Sequence, residues 1–420
     1  MFKKIIKGII VVFIAFCFLL LSGHYLSTVV DKLRTITTLF LDVVFSFLIL
    51  LKGNKEKRVA KETVIMLSVL LTSLVCTFIV NLEFEEIISY FNFLSLIYIS
   101  FCVFKLISFN EFIVYYKRVL LAICVVSLFF YVANLFGASF VFFGYVTNVN
   151  GIPYANNIIH TFYTSEFTDY RNMACFWEPG LFSTYLIIGI IFESFSRKLN
   201  ILAVLIYVIC IITSFSAAGF VLLVLTLPLL FIKKGVSSSR KAAFIFAAVF
   251  IGVMIVAFKD LLIDGLYTVS PSVAKKIFDS DFNLSFQTSR LDCPKICLSI
   301  FAENPLFGKG LFGTNIEYAS ISNDVAMTSS SFYMLSVFGI GGVAYTIGWL
   351  VGIFKIGSIS FIQKVLVASI FILILNKEPH FENLLLWIIF FFFLNYVYVN
   401  QRAKDEDLVY GEVEKCLKYQ

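Results

Sequence analysis

Residues 169–192 read DYRNMACFWEPGLFSTYLIIGIIF. A polar stretch holding Arg171 passes through Glu178, Pro179 and Gly180 into a long apolar run. Pro179 suits the first turn of a helix, where its missing N–H would have no partner in any case. Glu178 then stands at the positive end of that helix. The run that follows is apolar enough to enter a bilayer, so the stretch reads as the mouth of a membrane span.

Composition makes the same point for the whole chain. Of its 420 residues, 60% are hydrophobic and only 14% charged, and mean hydropathy is +0.93. A soluble domain has no way to bury so much apolar surface, so the chain reads as an all-α, polytopic integral membrane protein, a single membrane domain over residues 1–420. The net charge of +6 suits basic loops on one membrane face and gives no reason to expect nucleic acid as a partner. Most of the nine cysteines, Cys17, Cys76, Cys102, Cys124 and Cys210 among them, lie in apolar runs and act as small hydrophobes. Cys293 and Cys297 lie in a polar segment, but spacing alone neither pairs them nor makes a metal site. With no CxxC, no HExxH and only three histidines, no metal and no cofactor are expected.

Crossing the hydrocarbon takes about 20 apolar residues, which gives about 12 candidate spans. They are 5–22, 36–51, 63–81, 87–107, 119–143, 179–194, 200–214, 217–232, 242–258, 331–353, 360–376 and 384–400. The start, MFKKIIKGIIVVFIAFCFLLLSG, has the charge and apolar length of a signal peptide without a clear cleavage site, and reads as an uncleaved first helix. If the N-terminus is cytoplasmic, the inside segments include KGNKEKRVAK, YYKR, SRK, KKGVSSSRK and the tail 401–420. They hold about two thirds of the 33 lysines and arginines, the asymmetry expected of a cytoplasmic face. Both termini are therefore expected in the cytoplasm. Two long loops, 144–178 and 259–330, fall outside, the second between spans 9 and 10.

Arg171 lies at the end of the first of these loops and Arg290 in the second. Arginine grips phosphate oxygens in a planar, two-pronged way and stays charged. At an effective dielectric near 20, one such pair at about 4 Å is worth roughly 4 kcal/mol before desolvation. Glu178 reads either as a helix-start residue or as a group that orients Arg171 or meets sugar hydroxyls. Gly308, Gly310 and Gly313, in NPLFGKGLFG, permit close backbone approach or sharp turns; no GKS/T follows, so this is no nucleotide loop. His380, flanked by Glu378 and Glu382, is an acid–base candidate near the last span; His24 and His160 are weaker ones.

The order of these pieces resembles the O-antigen polymerase and ligase superfamily of bacterial inner membranes. The likeness lies in RNMACFWEPGLFSTYL, TSFSAAGFVLLVL, SRLDCPKICLSIFAENPLFGKG and SSSFYMLSVFGIGGVAY, which together cover about residues 165–350. The resemblance implies a GT-C-like, metal-independent glycosyltransferase in the bacterial inner membrane. It implies undecaprenyl-diphosphate-linked oligosaccharides as substrates at the periplasmic face, with a chain-length regulator as a possible partner. By carry-over, Arg171 and Arg290 bind the donor diphosphate. Gly308 and Gly310 are expected to approach substrate, and the base stays unassigned: either Glu178 or His380 takes the proton, or deprotonation is not led by a side chain. Ligases of the superfamily carry a His-Asn-like pair where this chain has Thr328-Ser329-Ser330-Ser331, which favours polymerase over ligase. Saccharide recognition is expected from the second loop, with Asp264, Tyr267, Asp279, Asp281 and Phe282.

Two other classes compete. A transporter or a lipid-linked glycan flippase would share the span count. Transporters tend to place ionisable residues within their spans, and here Asp42 and Glu193 are the exceptions or near-edge cases. A signalling protein would need more than a short tail of mixed charge.

Overall fold

The structure, a computed structural model, describes residues 19–30, 32–52, 58–138, 140–148, 151–163, 171–196, 199–232, 280–322 and 327–396, with only the backbone given for 51, 52 and 280–291. Among the described residues four helices are long and apolar enough to cross a membrane: α1 (Leu33–Lys52), α2 (Lys61–Val80), α3 (Ile87–Leu106) and α4 (Phe109–Leu135). There follow α5 (Pro179–Phe195), α6 (Ile201–Thr213), α7 (Ala217–Ile232), α8 (Ser280–Glu303), α9 (Gly310–Ser322), α10 (Ser330–Phe338), α11 (Ile340–Phe354), α12 (Phe361–Lys377) and α13 (Leu384–Leu394). The chain is thus a mostly helical, multi-pass membrane protein.

Burial sorts the helices into a centre and a rim. In α5 every residue from Pro179 to Ser194 is buried, and α13 is buried over nearly its whole length. A helix apolar all round has no face to offer water and belongs inside. The rim helices turn Val43, Val75, Ile79, Phe129, Leu202 and Val224 outward, the side lipid would cover. Helix α3 packs on α1 and α13, α11 on α2 and α13, and α5 on α4, α6 and α7. Phenylalanines fill the joints: Phe112 stacks on Phe392, and Phe109 meets both Phe192 and Phe392.

The helix ends fall into two groups. At one end Arg34 pairs with Glu382, Thr77 donates to the Phe307 carbonyl, and Leu384 N–H meets the Leu21 carbonyl at 3.1 Å. At the other, Lys117 meets Glu193 at 3.0 Å, Lys355 meets Glu62 at 2.6 Å, and Ala60 N–H bonds Asn395 at 2.8 Å. The two groups lie at opposite ends of the helices. They are called here the Arg171 end and the Glu193 end.

Several elements differ from the sequence reading. The span read at 119–143 is α4, which begins ten residues earlier, at Phe109. Ser108 and Glu111 form a capping box that starts it, so YYKR lies inside the helix. Lys117 is tolerated there because it reaches the carboxylate of Glu193. The span read at 331–353 is two helices, broken at Gly339 with φ +54°. The segment 259–330 is helical over α8 and α9 rather than an open loop. The chain is not purely α: β1 (Tyr145–Thr147) and β2 (Pro153–Ala155) pair antiparallel, Tyr145 opposite Ala155, within 144–178. The spans read at 5–22 and 242–258 lie mostly or wholly outside the described residues, as do the tail, Asp264, Tyr267 and Asp279.

Candidate active site

Arg171 and the serine-rich turn of TSFSAAG, separate features in the sequence, form one unit. The Arg171 Nε–H donates to the Ser214 carbonyl and an Nη–H to the Phe215 carbonyl, both at 3.1 Å. Ser214 ends α6, and the last carbonyls of a helix lack partners of their own. Phe215 has φ +46°, a strained backbone for a side chain with a Cβ. Next to Arg171, the Asn172 N–H bonds the Thr213 carbonyl at 2.9 Å and its amide donates to Thr213 Oγ1 at 3.1 Å. The pair fixes both the turn and the plane of the guanidinium.

The Glu-Pro-Gly that follows is equally specific. Glu178 is the N-cap of α5, yet its side chain makes no capping hydrogen bond. A Cβ on Gly180 would lie 2.8 Å from Glu178 Oε1 and 3.1 Å from Glu378 Oε1. Glycine therefore leaves room for two carboxylates over the first turn of α5. Such like charges are tolerated together when a cation stands by. Lys377 supplies it: buried, its Nζ donates to the Gly180 carbonyl at 2.7 Å and to Ser183 Oγ at 3.2 Å. Tyr163 reports on the group as a whole. Burial pushes its phenol up, Tyr154, Glu178 and Glu378 push the same way, and Arg171 pulls it down. Arg171, Glu178 and Glu378 are thus within electrostatic reach of one hydroxyl.

The loop carrying Glu378 and His380 is tied to the start of α10. Ser329 Oγ donates to Asn376 Oδ1 at 2.5 Å, and Ser330 Oγ donates to the Glu378 carbonyl at 2.9 Å while accepting the His380 N–H. A histidine missing from 328–331 in sequence is therefore next to that segment in space. The residue is 2% exposed, its Nε2 has no hydrogen-bond partner among the described residues, and burial, helped by Lys377, lowers its pKa to about 3. The ring stays neutral.

Arg290 lies on α8, one turn before Cys293, whose sulfur accepts the Thr328 N–H at 3.4 Å. Its backbone is therefore at the Arg171 end; its side chain is outside the described residues. Gly308 and Gly310, both with positive φ, meet protein groups: a Cβ would strike the Val337 carbonyl at one and the Glu83 carboxylate at the other. Glu83, buried, accepts from the N–H groups of Leu311 at 2.7 Å, Phe312 at 2.8 Å and Gly313 at 3.2 Å, and from Tyr90 OH at 2.6 Å. The start of α9 thus holds a carboxylate from 228 residues away, the charge a helix N-terminus favours. Sequence reasoning missed Lys377 and Glu83. The one available signal was a lysine at the polar end of an apolar run. Among the described residues no three His, Cys, Asp or Glu gather as a metal site requires.

Residues 202–336 match the family model described as O-antigen ligase. That match places residues 202–336 in the O-antigen polymerase and ligase superfamily. Comparison with curated proteins and with solved structures finds no match. Members of the superfamily are glycosyl-transferring enzymes that act on lipid-linked glycans in a membrane. The segment shared with the superfamily contains the turn held by Arg171, Arg290, the two glycines and Thr328–Ser331. Arg171, Glu178 and the Lys377–His380 loop lie outside it and are brought to it by the fold.

Proposed function

We propose that the protein polymerises undecaprenyl-diphosphate-linked oligosaccharide repeat units into a surface polysaccharide. The reaction takes place at the periplasmic face of the inner membrane, with both chain termini cytoplasmic. The observation that carries this reading is the convergence of Arg171, Glu178, Lys377 and Glu378 beside the shared segment 202–336, at the end the charge asymmetry assigns to the outside.

In the reaction, a hydroxyl at the non-reducing end of a new lipid-linked unit attacks the anomeric carbon of the growing chain. The bond from that carbon to the diphosphate breaks, and the electron pair leaves with the phosphate oxygen. Arg171 and Arg290 hold the diphosphate and stabilise its growing charge, an interaction that strengthens as the bond breaks. Arg171 is suited to this because two carbonyls already fix its plane, so little ordering is needed when the anion arrives. Glu178 takes the proton of the attacking hydroxyl. It is half-buried, whereas His380 is sealed and, with its pKa near 3, a weak base. His380 then belongs to the packing that holds Glu378 in place. No metal is needed, because the lipid diphosphate is itself the leaving group.

The family description favours one second reading, transfer of finished glycan to lipid A–core. Purified protein in nanodiscs with lipid-linked repeat units separates the classes. A polymerase yields a ladder of longer glycans still on the lipid carrier. A ligase yields product only when lipid A–core is added, and a transporter or flippase yields neither.

A further inference from the structure

A cleft of about 230 Å³ opens at the Arg171 end, beside the chain segment that carries Glu378 and His380. Glu86, Ser89, Asn315, Tyr333, Phe381 and Glu382 line it. It is smaller than pockets for drug-sized ligands, roughly 300–1,000 Å³, and suits a single sugar ring. The Tyr333 and Phe381 rings are 4.6 Å apart and inclined at 42°, with Phe381 half-buried. Tyr333 is buried and backs Phe381, whose half-buried ring offers an aromatic surface to the C–H face of a pyranose or to a protonated amine.

The polar lining is rich in acceptors. Ser89 Oγ donates to Glu86 Oε2 at 2.6 Å, and Tyr333 OH donates to Asn315 Oδ1 at 2.9 Å. The remaining carboxylate lone pairs call for ligand donors: hydroxyl, amide or ammonium groups. Among the described residues the lining holds two carboxylates and no cation: Arg34 pairs with Glu382, and no salt bridge reaches Glu86. Glu83 behind it is already engaged by α9 and adds to the same field. Such a cleft repels phosphate and carboxylate groups, so it suits the sugar rather than the diphosphate of a lipid-linked substrate.

We propose that this cleft binds one ring of the acceptor glycan and selects neutral or amino sugars over acidic ones. This rests on the reading of the protein as a glycan-transferring enzyme, which it deepens by naming the substrate class. The test is binding of three free trisaccharides to the full chain in nanodiscs by saturation-transfer NMR: chitotriose, its de-N-acetylated form, and trigalacturonate. The first two bind, and trigalacturonate binds at least about tenfold more weakly. Glu86→Gln weakens the amino sugar about tenfold and narrows the gap to trigalacturonate; Phe381→Ala weakens all binding. Equal binding of trigalacturonate, binding untouched by both variants, or no binding of any probe overturns the proposal. Binding does not depend on turnover. Chain extension with cleft-independent binding therefore defeats this inference alone, and cleft binding without extension defeats the polymerase reading alone.

Discussion

The two ends of the helix bundle are built from the same kinds of helix and close in opposite ways. At the Glu193 end, connections are short and capped: Ser108 with Glu111, Ser360 with Gln363, and Asn200 at the start of α6. Charges there pair off, Lys117 with Glu193 and Lys355 with Glu62. The Arg171 end is crowded and strained. Every non-glycine residue with positive φ among the described residues, Lys32, Leu82, Ile158, Ala174 and Phe215, is there. So are the buried His24, His160, His380, Glu83, Lys377 and Glu378. Strained backbone and buried ionisable groups cost stability and persist where a site needs them. The contrast supports the proposal that the Arg171 end carries the chemistry, while the Glu193 end is closed by short, capped connections.

The sharpest way to break the contrast is to remove one carboxylate at each end. Glu178→Gln keeps the shape and removes the base; chain extension falls on the order of 100-fold or more while the lipid-linked substrate still binds. Steady-state extension at varied substrate checks the split between kcat and KM. At the other end, Lys117→Ala removes one cation from the buried Glu193 carboxylate and lowers stability by up to about 3–5 kcal/mol. Thermal unfolding in detergent reads that loss, with extension per folded molecule unchanged.

A pH series sharpens the comparison further. Burial lowers the pKa of His24 to about 4, His160 to about 4 and His380 to about 3, from 6.5. A folded-state value below the unfolded one means the unfolded chain binds protons the folded chain refuses. The stabilising contribution is complete above about pH 6.5 and is lost as pH falls towards 4 and then 3. Hydrogen-exchange protection factors, corrected for the intrinsic pH dependence of exchange, should therefore fall on acidification first at 19–27 and 155–163, before the Glu193 end. The smallest effect is expected of Lys355→Ala. Its partner Glu62 is 46% exposed, so the pair is worth no more than about 1 kcal/mol and the melting temperature barely moves.

What the sequence discloses is set by range. Runs such as 36–51, 63–81 and 87–107 match α1, α2 and α3 closely, because apolar length is a local property. The start of α4 is hidden because its capping box lies among aromatics and the charges of YYKR resemble a loop. The break at Gly339 is hidden because apolar residues run straight through it. In the site, Glu-Pro-Gly marks the helix start, but the need for Gly180 appears only when Glu378 arrives from the far end of the chain. The glycines of NPLFGKGLFG announce a close approach without naming Glu83 as what approaches. Likewise Arg171 and the turn 213–217 are legible as features, and their contact is not.

The most direct test is chain extension by wild-type, Arg171→Ala and Arg290→Ala proteins in nanodiscs, with insertion and melting followed in parallel. Both variants should insert, and both should yield only single repeat units, a fall of at least about 100-fold in extension. A full-length glycan ladder from either folded variant would contradict the claim that these two arginines grip one diphosphate at the outer end of the bundle.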